Sequence, residues 1–407
     1  MKFLQYTSVC NTGKKALIFL LILTVFSKIH AQQENIVLRF WVDFADNAEV
    51  LFIHSQIKLY EQQHPGVNIQ LEVFKDFQTF FLDRYQSTLE NELPDIIRGV
   101  SDGISLFADN NMIQPLDTKI SPDFLSDFHQ VFLKSARYNG KLYGIPISYE
   151  LLGVYVNAEL QPEPLKDMND LFALAKRLSK EDLLALATNI AEPYRFIPWY
   201  QGFGGRFFDA NLDPVIDKKA FADACRFLLV LLDQKKVTSR AISNETGLVL
   251  FADGLAAAMI SGPWDLDRVI NEEVPFFVQA FPALADGRQP CPYIGMKMLM
   301  LSNTSRHPEA ATDFIRFLSR KEAQLQAFDA IYSLPTRADI TQISSEKGFK
   351  FISGFLVQAQ NAVPMPNHPA MAQIWQTLAD VLPQVFNHSM QPEEGAELLS
   401  AKIDQLR

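Results

Sequence analysis

Cysteine is scarce in this chain, with three residues in 407 and no C-x-x-C pair. Cys10 lies near the N-terminus, Cys225 in a helical stretch from Ala220 to Gln234, and Cys291 between Pro290 and Pro292. Neither a disulfide framework nor a thiolate metal site is spelled out, and a core of this size needs no staple, so Cys225 and Cys291 read as independent thiols. The seven histidines are scattered without an H-x-x-x-H pair, and calcium loops of the D-x-D-x-D-G type are absent. Gly202-Phe-Gly-Gly205 lacks the lysine and spacing of a phosphate cradle. No metal and no cofactor is therefore expected. Basic residues are also short, 37 against 47 acidic, and no five like charges run together, which argues against nucleic acid or an anionic membrane surface as a partner. Repeats and low-complexity linkers are missing, so any lobes must be joined by short crossings.

What is present is a large apolar share, 48%, with 32 Phe that read mostly as core. The length points to two lobes. Lys14-Lys15, the apolar run Ala16–Ser27 and the sequence Lys28-Ile-His-Ala31 resemble a secretory signal, being too short to span a bilayer. Cleavage after Ala31 is expected. It would remove four lysines and no acid, taking the net charge from −10 to about −14.

Beyond that segment, Ile36–Phe44 reads as a buried strand, and Val50, Ile53, Ile57 and Tyr60 fall at helical spacing until Pro65-Gly66. A strand at Asn68–Phe74, a helix at Phe77–Glu92 and a short strand at Asp95–Ile97 complete a β-α-β-α-β order, which predicts a parallel, doubly wound α/β sheet. Asn139-Gly140 signals a hairpin, and a strand at Leu151–Asn157 follows so soon that the chain is expected to change lobes there. The C-terminal tail reads as three helices, with Pro383 expected to kink or shorten the second.

One catalytic pattern stands out: Gly99-Val-Ser101-Asp102-Gly103 fits G-x-S-x-G between a strand and a helix. No downstream acid and histidine pair completes a triad, so a tight turn is the better reading. Acids beside aromatics are more informative: Glu150 after Tyr149, Glu192-Pro-Tyr194, Gly262-Pro-Trp264-Asp265, and Met365-Pro-Asn367 leading to Trp375. Indole and phenol faces stack on sugar C–H faces and carboxylates accept from hydroxyls, so this pairing suits carbohydrate. By spacing alone, core aromatics and surface acids remain the readier reading.

Five collinear blocks decide between these readings: Leu93-Pro-Asp-Ile-Ile97, Ala136–Leu142 with Pro146-Ile and Glu150, Glu192-Pro-Tyr194, Gly262-Pro-Trp264, and Met365-Pro-Asn367 with Trp375. In order and spacing, from about Ile36 to the C-terminus, they resemble the maltose-binding type of extracellular solute-binding proteins that serve ABC sugar importers. The resemblance implies a two-lobed periplasmic binding protein fold, each lobe a sheet flanked by helices, with the ligand cleft between them. It places residues 32–148 and 298–344 in an N-terminal lobe, 153–292 and 351–407 in a C-terminal lobe, and hinge crossings at 149–152, 293–297 and 345–350. It implies a monomeric, non-catalytic protein, exported to the periplasm, that hands a carbohydrate to an inner-membrane ABC permease.

Carried over by position, the ligand-binding residues are Asp102, Glu150, Glu192, Tyr194, Trp264, Met365 and Trp375. This chain departs from the family where Gly99 replaces a stacking tryptophan, Gly103 a hydroxyl-binding arginine, Arg195 an aromatic and Gln376 a tyrosine, and where the loop after Trp41 is short and lacks a lysine. Arg195 and the two glycines raise the expectation of a bulkier or acid-bearing ligand. The alternatives are a glycoside hydrolase using Glu150 and Glu192 as its carboxylate pair, and a binding protein that senses ligand for a receptor.

Overall fold

The computed structural model describes residues 35–43, 45–74, 78–209, 211–340 and 346–406. The expected signal segment, Cys10 and residues 341–345 lie outside them.

The first sheet grows from the expected alternation: β1 (Ile36–Asp43), α1 (Asn47–Gln63), β2 (Val67–Phe74), α2 (Gln78–Ser87) and β3 (Ile96–Val100). Asp46 caps α1 by accepting from Glu49 N at 2.8 Å, and Gly66 takes φ +98° in the turn that ends it. β1 pairs in parallel with both β2 and β3. A 3₁₀ turn at Ser101–Gly103 then opens α3 (Ile104–Asp109), followed by α4 (Pro122–Ser126), α5 (Gln130–Ser135) and a hairpin of β4 (Arg137–Tyr138) and β5 (Lys141–Leu142). The hairpin turns at Asn139 and Gly140, both at positive φ.

After β6 (Gly144–Glu150) the chain leaves this sheet, and β7 (Gly153–Asn157) starts a second one. There follow α6 (Met168–Leu178), α7 (Pro193–Gly202), α8 (Lys218–Leu229), α9 (Asn244–Ala252), β8 (Ala258–Ser261), α10 (Leu266–Asn271) and β9 (Phe276–Gln279). β7 lies between β8 and β9, antiparallel to both. β10 (Tyr293–Leu301) returns to the first sheet, followed by α11 (Pro308–Ser319), α12 (Lys321–Ile331), α13 (Glu346–Ala359), β11 (Val363–Pro364), α14 (Ala370–Phe386) and α15 (Pro392–Asp404).

Two differences from the expected parallel sheet follow. The first sheet is mixed, in the order β11-β10-β3-β1-β2, because β10 inserts antiparallel beside β3 and pairs β6 as well. The second is small and antiparallel. Both corrections concern strands distant in sequence, whose direction no local pattern encodes. Pro383 does not shorten α14, which runs on to Phe386.

Two lobes result, built around two apolar clusters. One fills the first sheet and its helices and continues onto the face of the second sheet that carries Tyr155, Met259 and Phe276. The other holds the opposite face, with Val154, Val156 and Ile260, against α6 to α8, α14 and α15. Gly354 lets α13 lie flush on β9, since a Cβ there would sit 2.1 Å from the Val278 carbonyl oxygen. Cys225 and Cys291 are both free, as expected. No helix among the described residues is long and apolar enough to cross a membrane.

Candidate functional site

The mouth of the site is set by strand ends and helix starts. Glu192 is the N-cap of α7, with Pro193 at the first helical position. Its two carboxylate oxygens accept from the backbone N–H groups of Tyr194 at 3.0 Å and Arg195 at 2.9 Å, an arrangement the helix dipole favours. That capping fixes Tyr194, whose hydroxyl donates to the Tyr293 carbonyl at 2.9 Å. At the end of β8, Tyr155 OH donates to the Gly262 carbonyl at 2.6 Å, and the Trp264 indole folds back over Gly262. A Cβ at that glycine would lie 2.1 Å from the ring, so only glycine allows the indole this position.

These pieces converge. The Tyr194 ring lies 6.4 Å from that of Trp264 and 6.4 Å from that of Trp375, and Tyr293 meets Trp375 edge-on at 6.2 Å. From the other lobe, Asp102 in the turn after β3 accepts from Trp375 Nε1 at 3.1 Å. Burial, reinforced by Glu150, Glu192 and Asp102, drives the Tyr194 hydroxyl well above its ordinary pKa, so it stays protonated and donating. Met365 donates its backbone N–H to Ile294 and its side chain reaches the strand position of Gly295, opposite Glu150. All seven expected residues thus occupy one neighbourhood. Asn367 ties the same segment to the first lobe: its Oδ1 accepts from Ser105 N at 2.9 Å, and its Nδ2 donates to the carbonyls of Ser135 and Arg137.

Beneath the acids lies a charge cluster outside the expected set of residues. Arg98 is fully buried, donates to the Asp43 carbonyl oxygen and pairs with Glu49. Lys297 lies 3.0 Å from the other Glu49 oxygen and 3.8 Å from Glu150. A cavity of about 40 Å³ opens here, lined among others by Glu49, Glu150, Lys297, Trp264 and Tyr332. Tyr332 caps α12 in the left-handed conformation, φ +54°, which a non-glycine residue adopts at some cost. A signal for Arg98 and Lys297 did exist, namely a lone cation inside each of two otherwise apolar strands.

Burial pushes the Asp43 carboxyl up from 3.8 to about 7, against the pull of Arg98 and Lys297. Glu49 is buried too, but its ion pairs with Arg98 and Lys297 outweigh that and hold it below 4.5. Between pH 3.8 and about 7 the folded state keeps a proton at Asp43 that the unfolded chain has lost, so stability from this group falls as pH rises through that window. Glu49 acts at the acid end, where its contribution is lost as pH drops below 4.5. Thermal melts followed by circular dichroism should therefore show a midpoint that declines from pH 5 to 8, with a flatter decline in Asp43→Asn. An unchanged slope in that variant would refute the assignment.

Ser101 of the G-x-S-x-G pattern is fully buried and its hydroxyl has no hydrogen-bond partner among the described residues, so no histidine activates it. Arg195 is 7% exposed, with Nη1 on Glu192 at 3.2 Å and Nε on the Ile260 carbonyl at 3.3 Å. Through these two bonds it fastens α7 to β8. Among the described residues, no group of three or more histidine, cysteine or acidic side chains could hold a metal.

Comparison with known proteins supplies a family. The family described as bacterial extracellular solute-binding protein matches residues 55–350. The chain is 24% identical over 290 residues to the maltotriose-binding protein of Pyrococcus abyssi, covering 69% of this chain and 63% of that protein. It is 24% identical over 270 residues to a maltodextrin-binding protein of Bacillus subtilis, covering 63% and 64% respectively. The chain thus spans somewhat less than two thirds of the length of these relatives. In fold it is similar to the maltose/maltodextrin-binding domain of Bdellovibrio bacteriovorus bound to maltotriose, with a TM-score of 0.81, 24% identity and 91% and 99% of the two chains covered.

Proposed function

Because this chain belongs to the bacterial extracellular solute-binding protein family, we propose that it captures a carbohydrate, of maltodextrin type or a related oligosaccharide, and delivers it to an ABC permease of the inner membrane. The observation that carries this reading is the cluster of Tyr194, Trp264 and Trp375 flanked by Asp102, Glu150 and Glu192. The rings supply stacking faces, and the acids accept from hydroxyls.

In this reading the lobes are residues 32–148 with 298–344 and 153–292 with 351–407, hinged at 149–152, 293–297 and 345–350. A cavity of about 40 Å³ holds only a few waters, at roughly 10–15 Å³ for each, so a pyranose enters by parting of the walls. Ligand then shifts the population toward closure by bonding both walls at once. The protein works as an exported periplasmic monomer, its signal removed after Ala31. It performs no catalysis. Glu192 has both oxygens committed to capping α7, which makes it a poor partner to Glu150 in acid–base hydrolysis.

Titration of tryptophan fluorescence with mono-, di- and oligosaccharides tests the assignment. A neutral oligosaccharide is expected to shift the emission and raise the melting temperature. Trp264→Ala should weaken binding about tenfold, the worth of one ring contact. If no saccharide moves either signal, the carbohydrate assignment falls while the fold stands. Pull-down of a permease, against a sensor receptor, separates transport from sensing.

A further inference from the structure

The carbohydrate reading leaves Lys297 without a role, and its surroundings point to one. At this residue the register between β10 and β6 slips: Lys297 faces Ser148, whereas Met298 faces Pro146, so Ile147 is passed over. Irregularities of this kind turn a strand locally and re-aim its side chains, and they gather at functional sites. The Lys297 side chain remains 16% exposed and borders the cavity shared with Trp264 and Glu150. No other cation lines that cavity among the described residues.

Its ammonium is held, yet not used up. Glu49 Oε2 accepts from it at 3.0 Å, while Glu150 Oε2 stands at 3.8 Å, beyond hydrogen-bond range. An ammonium has three donors, so capacity remains for a further acceptor. Glu49 is itself gripped on its other oxygen by Arg98, which anchors the pair to β3. The charge around Lys297 decides what it can recognise. Asp46, Glu49 and Glu150 line the same cavity, and against the two cations Lys297 and Arg98 these three acids leave an incoming carboxylate facing a net negative charge. A neutral hydroxyl or ring oxygen meets a donor at no such cost.

We propose that Lys297 is a ligand-binding residue that donates to a neutral saccharide, and that its carboxylate neighbours Glu49 and Glu150 make the site discriminate against uronic acids. The proposal rests on the carbohydrate reading and replaces the expectation of an acid-bearing ligand.

The test uses the intact chain and tryptophan-fluorescence titration with two probes: maltotriose, or whichever neutral oligosaccharide binds best in the survey above, and its counterpart with one unit oxidised to the uronate. The wild type should bind the neutral probe at least tenfold more tightly. Lys297→Met should weaken the neutral probe at least tenfold, with a lowered melting temperature because Glu49 loses a partner but a native circular dichroism spectrum at the titration temperature, and Lys297→Gln, which keeps a donor, should fall between. Glu150→Gln should narrow the discrimination between the probes by relieving repulsion of the uronate. Wild-type affinity in Lys297→Met overturns the proposal. So does a wild type that prefers the uronate, a result needing no variant and so independent of any folding defect. A wild type that binds neither probe, nor any other saccharide, sinks the carbohydrate reading and the proposal together. Binding that survives loss of Lys297 sinks the proposal alone.

Discussion

Arg98→Met is expected to cost about 3–5 kcal/mol of stability, the range for removing one partner of a buried charge pair. The size follows from what remains. Asp43 is 3% exposed and Glu49 8%, and Arg98 serves both from a fully buried position. Glu49 keeps Lys297 at 3.0 Å, so its loss is partial. Among the described residues no second cation is bonded to Asp43, although Lys297 attracts it from farther off, and Asp43 also has an escape. Its carboxyl titrates near 7 even with Arg98 present, and without the guanidinium it protonates more readily still. The penalty should therefore grow with pH, being larger at pH 8 than at pH 5.5, and Asp43→Asn in the Arg98→Met background should recover part of it at the higher pH. Urea denaturation of the four proteins at both pH values measures this as a double-mutant cycle. A penalty below about 1 kcal/mol, or one independent of pH, would mean that the cluster is solvated and not the buried unit described here.

Trp375→Ala carries the largest expected effect on ligand affinity, a loss of roughly 30- to 100-fold, or about 2–3 kcal/mol. Two contributions add. The indole is one wall of the ring cluster with Tyr194 and Tyr293, worth about 1 kcal/mol as a stacking face. It also donates from Nε1 to Asp102 at 3.1 Å, a bond to a charged group across the two lobes. Removing it takes away one of the bonds that orient Asp102 toward a saccharide hydroxyl. Trp375→Phe separates the two, since it keeps a ring face and loses only the donor, and should cost less than half as much. Titration with the best-bound oligosaccharide reads both variants. Wild-type affinity in Trp375→Ala would remove the stacking wall from the proposed site, whatever became of Trp264.

Much of the site was legible because its parts sit at local structural signals. Glu192-Pro-Tyr194 is a helix start, Gly262-Pro-Trp264 a turn at a strand end, and Ser101-Asp102-Gly103 a strand-to-helix turn. Spacing alone could not say that these signals meet, and collinear resemblance to a family supplied that step. The expectation of an acid-bearing ligand rested on a substituted arginine, which reads as wholly available charge until its partners are known. Arg195 proved to be engaged by Glu192 and by the Ile260 carbonyl, 65 residues away.

The sequence by itself determined the alternation of strands and helices up to β3, the change of sheet after β6, and the absence of thiolate or histidine metal motifs. Each of these depends on neighbours within a turn or two of chain, where propensity, capping and periodicity act. Only the tertiary structure decided that β10 runs antiparallel between β3 and β6, and that Lys297 meets Glu49 across 248 residues of chain. Burial is a property of the assembled fold: a charged residue reads as exposed until long-range strand pairing encloses it, and then its charge must be answered by whatever acids the topology brings alongside.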